Sequence, residues 1–446
     1  MKISQVLQRL RGDSIAAIFA RGAGSAFVVN LTGVALAFGV AVLLARILGA
    51  EQYGYYVYAL TWVMLLALPS LLGMDTAAVR FIAAYKARGE DSLAAGFFVY
   101  SRRFTLYASI LLALVLAGVV WWLEDTLVLS LRVTFWVACL LLPIVVRLRL
   151  YAALLRGLKK PVAALAPEVL LHPLLLIAVL IIWMTYTGKD PQAATALKAN
   201  LFSVVLLVIL LFLYVRKMFQ PLGKLEISRC AKVEWYRTAF PLMLLAGSQV
   251  LLSQTDIVML GFLRGTFDAG IYSAAARLGG LVAFGLVVVN IIVAPLIADL
   301  HARKHKQKLQ RLVTLSAMAV LLVAVPVSLI LFIAGEWVLG LFGTAFTAGY
   351  SALLILAVGQ LVNALAGSVG FMMTMTGHQR EAARILGFTV VLNLFLNGLL
   401  IPEFGMPGAA IATASALVFW NVWMLFYVRR QLSIDPSILS LLRRQV

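Results

Sequence analysis

Leu312–Ala334 reads LVTLSAMAVLLVAVPVSLILFIA, 23 residues without a single charge. A helix rises about 1.5 Å per residue, so roughly 20 apolar residues cross a hydrocarbon core about 30 Å thick. Working outward from it, comparable stretches lie near 24–47, 54–84, 102–123, 127–155, 162–187, 194–216, 237–263, 269–299, 349–376, 384–401 and 408–428. Apolar residues make up 63% of the chain and charged residues 12%, with a mean hydropathy of +1.01. Soluble domains carry about 45–50% apolar and about 25% charged residues, so a soluble chain is excluded. A transmembrane β-barrel needs alternating segments of about 10 residues, which these continuous runs are not. The expected fold is all-α and integral to the membrane, with about twelve transmembrane helices.

The first 20 residues set Ile3, Val6, Leu7 and Leu10 against Lys2, Arg9 and Arg11, the pattern of an interfacial amphipathic helix. Their apolar stretch is too short for a cleavable signal. Cys139 lies in an apolar run and Cys230 in a basic loop, so neither a disulfide nor thiol chemistry is expected.

A net charge of +19 would suggest nucleic acid in a soluble protein. Its distribution says otherwise. With the N-terminus inside, 30 of the 37 Lys and Arg fall in inside segments and 5 in outside loops. Arg80 and Arg277 remain within spans. This asymmetry fixes both termini on the cytoplasmic side and accounts for the charge as a topology signal. The basic loops also suit anionic lipid headgroups. Outside loops are short, with no room for an extracytoplasmic catalytic domain. A Walker A motif is absent from the sequence, which excludes ATP-driven transport by this chain.

The sequence repeats at an offset near 216. Gly49, Gly54 and Tyr56 stand against Gly265, Gly270 and Tyr272; Trp121 stands against Trp337; Pro191, Ala193 and Ala194 stand against Pro407, Ala409 and Ala410. Six helices per copy, an even number, make the repeat parallel, with a pseudo-two-fold axis along the membrane normal. The expected organisation is an amphipathic segment (1–20), an N-lobe (21–216), a basic cytoplasmic linker (217–236), a C-lobe (237–428) and a cytoplasmic tail (429–446). Two such lobes flanking a central cavity have the geometry of an alternating-access transporter.

Ionisable residues inside a bilayer cost about 2.5–3.5 kcal/mol each at mid-depth, which makes them functional candidates. Asp75, Arg80, Asp256 and Arg277 are the four that stand out. Asp256 lies nine residues before Gly265 and Arg277 twelve after it, at similar depth on adjacent helices, so an ion pair is expected. That pair is either structural or functional, with Arg277 meeting phosphate or sugar hydroxyls and Asp256 a coupling cation or proton. Gln249, Ser253 and Asp256 form one stripe, and Gln360, Asn363 and Gly367 share a face. They line a cavity or bond between helices. Asn393 and Asn397 share a face under the same alternatives. Arg80 either catches pyrophosphate or snorkels to the interface; Asp75 is the second coupling candidate. Glu168 and His172, flanked by Pro167 and Pro173, mark a kinked helix and a minor proton-coupling candidate. A metal site would need more ligands, and neither a metal nor a cofactor is expected.

Leu44–Tyr56 (LARILGAEQYGYY), Gly73–Tyr85 (GMDTAAVRFIAAY), Ser253–Ala276 (SQTDIVMLGFLRGTFDAGIYSAAA) and Phe404–Thr413 (FGMPGAAIAT) together resemble the oligosaccharide flippases of the polysaccharide transporter family. Those belong to a superfamily shared with the MATE exporters and the peptidoglycan-precursor flippases. The latter have fourteen helices, which argues against that branch. The resemblance implies a MATE-like two-lobe fold in the bacterial inner membrane. It implies a non-enzymatic flippase moving a polyprenyl-pyrophosphate-linked oligosaccharide from the cytoplasmic to the periplasmic leaflet. Substrate-binding candidates are then Arg277, Arg80, Gln249, Ser253, Asn363 and Gln360, with Asp256 and Asp75 for the coupling ion. Expected partners are the lipid-linked oligosaccharide and membrane lipids, with room for glycan polymerase or export components, and no nucleic acid. A monomer is expected. The competing readings are a MATE-type cation or drug antiporter and a non-transporting component of a glycan-assembly complex.

Overall fold

The computed structural model describes residues 15–219 and 231–438. Most of the expected amphipathic segment 1–20, Cys230 and much of the linker 217–236 lie outside the described residues. The order is α1 (Ile15–Leu71), α2 (Met74–Arg88), α3 (Asp91–Trp122), α4 (Leu129–Gly157), α5 (Pro161–Ala166), α6 (His172–Thr187), α7 (Ala193–Phe219), α8 (Lys232–Leu263), α9 (Thr266–Gly280), α10 (Phe284–Ala302), α11 (Lys306–Gly340), α12 (Tyr350–Ala366), α13 (Val369–Met375), α14 (Gln379–Phe404) and α15 (Met406–Leu432). Eleven helices among the described residues are long and apolar enough to cross a membrane. One of these, Leu31–Leu71, is 41 residues, about twice a single crossing. Its backbone breaks at Gly49 (φ 72°, ψ 169°), which divides it into two crossings and brings the total to the expected twelve.

The repeat is visible in the backbone. Gly265, 216 residues after Gly49, has φ 105° and ψ 157° and separates α8 from α9. Both positions need a positive φ that only glycine adopts without strain. The second crossing of each half is also interrupted: at Leu72–Gly73 in the first, and by a 3₁₀ turn at Leu281–Ala283 in the second. The kink expected around Glu168 takes the form of a π-helical turn, Pro167–Leu171, between α5 and α6.

Within the first half α4 packs against α3 and α7; within the second, α15 packs against α12 and α14. The halves meet where α1 crosses α9. A Cβ at Gly54 would overlap the Thr266 carbonyl, and one at Gly270 would lie 2.7 Å from the Gly54 Cα. Two repeat-equivalent glycines thus touch each other, as residues on a two-fold axis must. Beside them Arg46 Nε donates to the Leu341 carbonyl at 2.6 Å, and the Tyr53 and Phe346 rings meet edge-on at 5.6 Å. A second contact between the halves joins α8 to α2 and α3: Trp235 Nε1 donates to Tyr85 Oη at 2.9 Å, and its ring lies edge-on to Phe97 at 5.2 Å.

The interior is built from small residues: Ala274, Ala275, Ala357, Ala364, Ala409 and Ala410 are fully buried. Without a hydrophobic drive between helices in lipid, such close approach supplies the association. Leu322, Ile333 and Phe262 lie on the outer surface, at least 80% exposed. Trp121 and Trp337, equivalent in the repeat, are each 70% exposed, as aromatic anchors at an interface would be.

Candidate functional site

Among the described residues, two cavities stand at corresponding places in the two halves; a third, more open one lies at the surface around Arg46 and Trp337. The larger, about 880 Å³, lies in the second half among α8, α9, α10, α12, α13, α14 and α15. The smaller, about 400 Å³, lies in the first half and is reached by one residue of α9. Their linings correspond at the repeat offset. Gly33, Ala37, Val40, Leu60, Met64, Asn200 and Val204 of the smaller stand 216 residues before Gln249, Ser253, Asp256, Ala276, Gly280, Ala416 and Trp420 of the larger. The two cavities are therefore one structural feature used twice, with different side chains.

In the larger cavity the α8 stripe places Asp256 deepest, 4% exposed. Its Oδ2 accepts from Tyr272 Oη at 2.5 Å and from Thr413 Oγ1 at 3.1 Å, and its Oδ1 accepts from the Ile257 N–H at 3.1 Å. Three donors on one carboxylate suit an ionised, acceptor-only group. They also join α8, α9 and α15 at one point. Asn393 Nδ2 on α14 donates to Thr413 Oγ1 at 3.5 Å. A second chain runs from Asn421 Nδ2 to Asn363 Oδ1 at 3.0 Å, and from Asn363 Nδ2 to Gln360 Oε1 at 3.2 Å. Among the described residues, no Lys or Arg lines this cavity.

The smaller cavity has the opposite character. Arg149 from α4 and Arg277 from α9 both line it, with Glu168 and His172 from the kinked fifth crossing. Neither arginine is ion-paired among the described residues; Arg149 Nη2 lies 2.7 Å from Met64 Sδ. Asn200 Nδ2 donates to Tyr56 Oη at 2.8 Å, and Asn200 Oδ1 lies 3.2 Å from His172 Nε2. This relay ties α1, α6 and α7 behind the cationic surface.

The structure thus brings Gln249, Ser253, Asp256, Gln360 and Asn363 into one cavity. The expected Asp256–Arg277 ion pair does not form. The two side chains point into different cavities. On α9, Tyr272 bonds Asp256, and Ala276, Gly279 and Gly280 face the larger cavity. A helix turns about 100° per residue, which carries Arg277 round to the other half. Arg80 is exposed on α2 and lines neither cavity. Asp75 also lines neither; its carboxylate accepts from the Thr76 N–H at 2.8 Å in the first turn of α2. Asn393 and Asn397 bond between and within helices, the second of their two readings: Asn397 Nδ2 donates to the Asn393 carbonyl at 2.9 Å. Sequence reasoning missed Tyr272, Thr413, Tyr56 and Asn200, single polar positions whose partners are distant in the chain. It also missed Arg149, which counted only as an inside positive charge.

Among the described residues the chain is all-helical, with matching cavities in its two halves, and this fold is shared with the MATE-like transporters. Over 91% of this chain and 98% of the other, it superposes on an inward-facing multidrug resistance MATE family transporter of the MOP superfamily, with a TM-score of 0.74 at 15% identity. The lipid II flippase MurJ in an inward closed conformation matches over 90% of this chain and 87% of its own, with a TM-score of 0.66 at 12% identity. The model of the polysaccharide biosynthesis protein family matches residues 19–301, and the MatE model matches residues 241–399. The chain belongs to the polysaccharide biosynthesis protein family. A Haloferax volcanii protein named as a probable low-salt glycan biosynthesis flippase is 26% identical over 183 residues, 41% of this chain. The match spans 39% of that relative's length.

Proposed function

We propose that the protein is a flippase that moves a polyprenyl-pyrophosphate-linked oligosaccharide from the cytoplasmic to the periplasmic leaflet of a bacterial inner membrane by alternating access. The observation that carries this reading is that Arg149 and Arg277, neither ion-paired among the described residues, both line one cavity within the membrane-spanning part. Unpaired guanidinium groups at that depth are costly unless a ligand uses them, and their fork geometry matches phosphate. The Haloferax relative's name and the family model support a glycan substrate. The 30-to-5 bias in Lys and Arg supports cytoplasmic termini. Arg277 enters the first-half cavity from the second half, so it feels substrate and lobe movement together. Asp256 is the coupling residue. Protonating it, or drawing a cation to it, would change the bonds from Tyr272 and Thr413 that join α8 to α9 and α15. Asp75 and Arg80 have no part in this reading.

The antiporter reading is favoured by one observation, the buried carboxylate of Asp256 in a cavity without Lys or Arg, where an organic cation would fit. A deletion strain separates the two. Under the flippase reading it accumulates lipid-linked glycan facing the cytoplasm, and wild type but not well-expressed Arg277→Ala restores the surface glycan. Normal surface glycan with altered sensitivity to cationic drugs would establish the antiporter instead.

A further inference from the structure

The two cavities occupy equivalent places and differ in chemistry, and that difference assigns parts of a substrate to them. We infer that the second-half cavity is a carbohydrate site, holding neutral sugar residues of the glycan, while the first-half cavity holds the pyrophosphate. This rests on the flippase reading and adds where each part of the substrate sits.

Three observations point to sugar in the larger cavity. Its polar lining is amide and hydroxyl: Gln249, Gln360, Asn363, Asn290 and Ser368. Two of these end in buried oxygens with no partner, Asn290 Oδ1 and Ser368 Oγ, in side chains 5% and 3% exposed. Buried polar atoms are nearly always hydrogen-bonded, so these two oxygens, without a partner among the described residues, mark polar capacity in the lining residues that the protein itself does not use. Sugar hydroxyls and N-acyl N–H groups are donors that can use it. Trp420, at the position of Val204 in the first half, adds a flat indole against which a pyranose face can pack.

Charge completes the argument. The larger cavity has no Lys or Arg, and its only charged group among the described residues, Asp256, already accepts three hydrogen bonds. An acidic sugar or a phosphate would find no counter-charge there. Arg149 and Arg277 supply that counter-charge in the smaller cavity. Sugars bound in the second half are therefore uncharged.

Photo-crosslinking in the protein's own cells tests this whatever the structure of the glycan. Benzoylphenylalanine is placed at Ala37 or at Ser253, repeat-equivalent positions with one in each cavity. After illumination, the purified full-length protein is treated with mild acid, which severs the pyrophosphate linkage, and the retained adduct is weighed. The expected result is neutral glycan mass retained at Ser253 and polyprenyl mass without glycan at Ala37. Adding Asn290→Leu should lower the Ser253 adduct at least fivefold and leave the Ala37 adduct within twofold, with an unchanged elution profile as the folding control. Polyprenyl mass at both positions, acidic sugar at Ser253, or an adduct indifferent to Asn290→Leu would overturn the assignment while leaving the flippase reading intact. A basic amphiphile at Ser253, or no glycan and no polyprenyl mass at either position, would overturn both.

Discussion

The two cavities are the same element of the fold filled in two ways. Where the first half has Gly33, Ala37 and Val40 on its first crossing, the second has Gln249, Ser253 and Asp256. Where the second half has Ala416 and Trp420, the first has Asn200 and Val204. Two backbone devices stayed alike at the repeat offset, a positive-φ glycine at 49 and 265 and the glycines at 54 and 270, while the interruption of the second crossing shifted, from 72–73 in the first half to 281–283 in the second. Duplication kept the mechanical parts and let the linings diverge. That is what a transporter of an amphipathic, two-part substrate needs: one rocking framework and two chemistries.

The largest expected effect falls where the halves share a residue. Arg277→Ala removes charge-assisted hydrogen bonds worth about 1.5–3 kcal/mol, so flipping should fall about 10- to 150-fold in a transport assay with expression unchanged. Arg277→Lys should recover only part of it, because an ammonium lacks the planar fork. Equal activity of the lysine variant would show that charge alone is read at this cavity.

Next come the backbone parts held in common. Gly54→Leu and Gly270→Leu each force a side chain into opposing backbone, an overpacking that costs about 1–3 kcal/mol or more. Both should lower the thermal midpoint in detergent by similar amounts, and markedly unequal shifts would break the two-fold equivalence. Gly49→Ala and Gly265→Ala should also behave as a pair, each destabilised by about 1–3 kcal/mol through the positive φ with extended ψ.

Coupling sharpens the comparison further, since the carboxylate has no counterpart at Val40. Tyr272→Phe leaves Asp256 one donor short and should cost about 1–3 kcal/mol of stability. Asp256→Asn should keep the protein folded, yet abolish the response of transport to an imposed proton or sodium gradient. Gradient-driven transport by Asp256→Asn would exclude it as the coupling residue. The smallest effects belong to residues outside both cavities. Arg80→Gln and Asp75→Asn should change transport less than about twofold, within the roughly ±0.5 kcal/mol of ordinary surface substitutions.

Much of this was legible in the sequence because it depends on spacing along the chain. Twelve crossings, the 216-residue repeat and the Gln249–Ser253–Asp256 stripe follow from length, offset and helical period. The fifth-crossing kink follows from Pro167 and Pro173. The side to which Arg277 points does not, because depth fixes only one coordinate and the rotation of α9 is set by packing at Gly54 and Gly270. Tyr56 and Asn200 are 144 residues apart and meet only in space. Thr413 is one of several small residues in FGMPGAAIAT, and its bond to Asp256 depends on where α15 lies against α8. Asp75 and Arg80 illustrate the converse: a charge inside an apolar stretch need not face the cavity, since the break at Leu72–Gly73 makes α2 a separate helix.

The central claim is that this chain carries a lipid-linked oligosaccharide across the bilayer with Arg277 in contact with its pyrophosphate. The most direct measurement reconstitutes the purified protein into liposomes containing lipid-linked oligosaccharide extracted from the deletion strain. Membrane-impermeant periodate then oxidises the glycan exposed at the outer surface. Wild-type protein should render nearly the whole pool accessible, while Arg277→Ala and protein-free liposomes leave about half protected. An equally protected pool with wild type, or full accessibility with Arg277→Ala, would contradict the account.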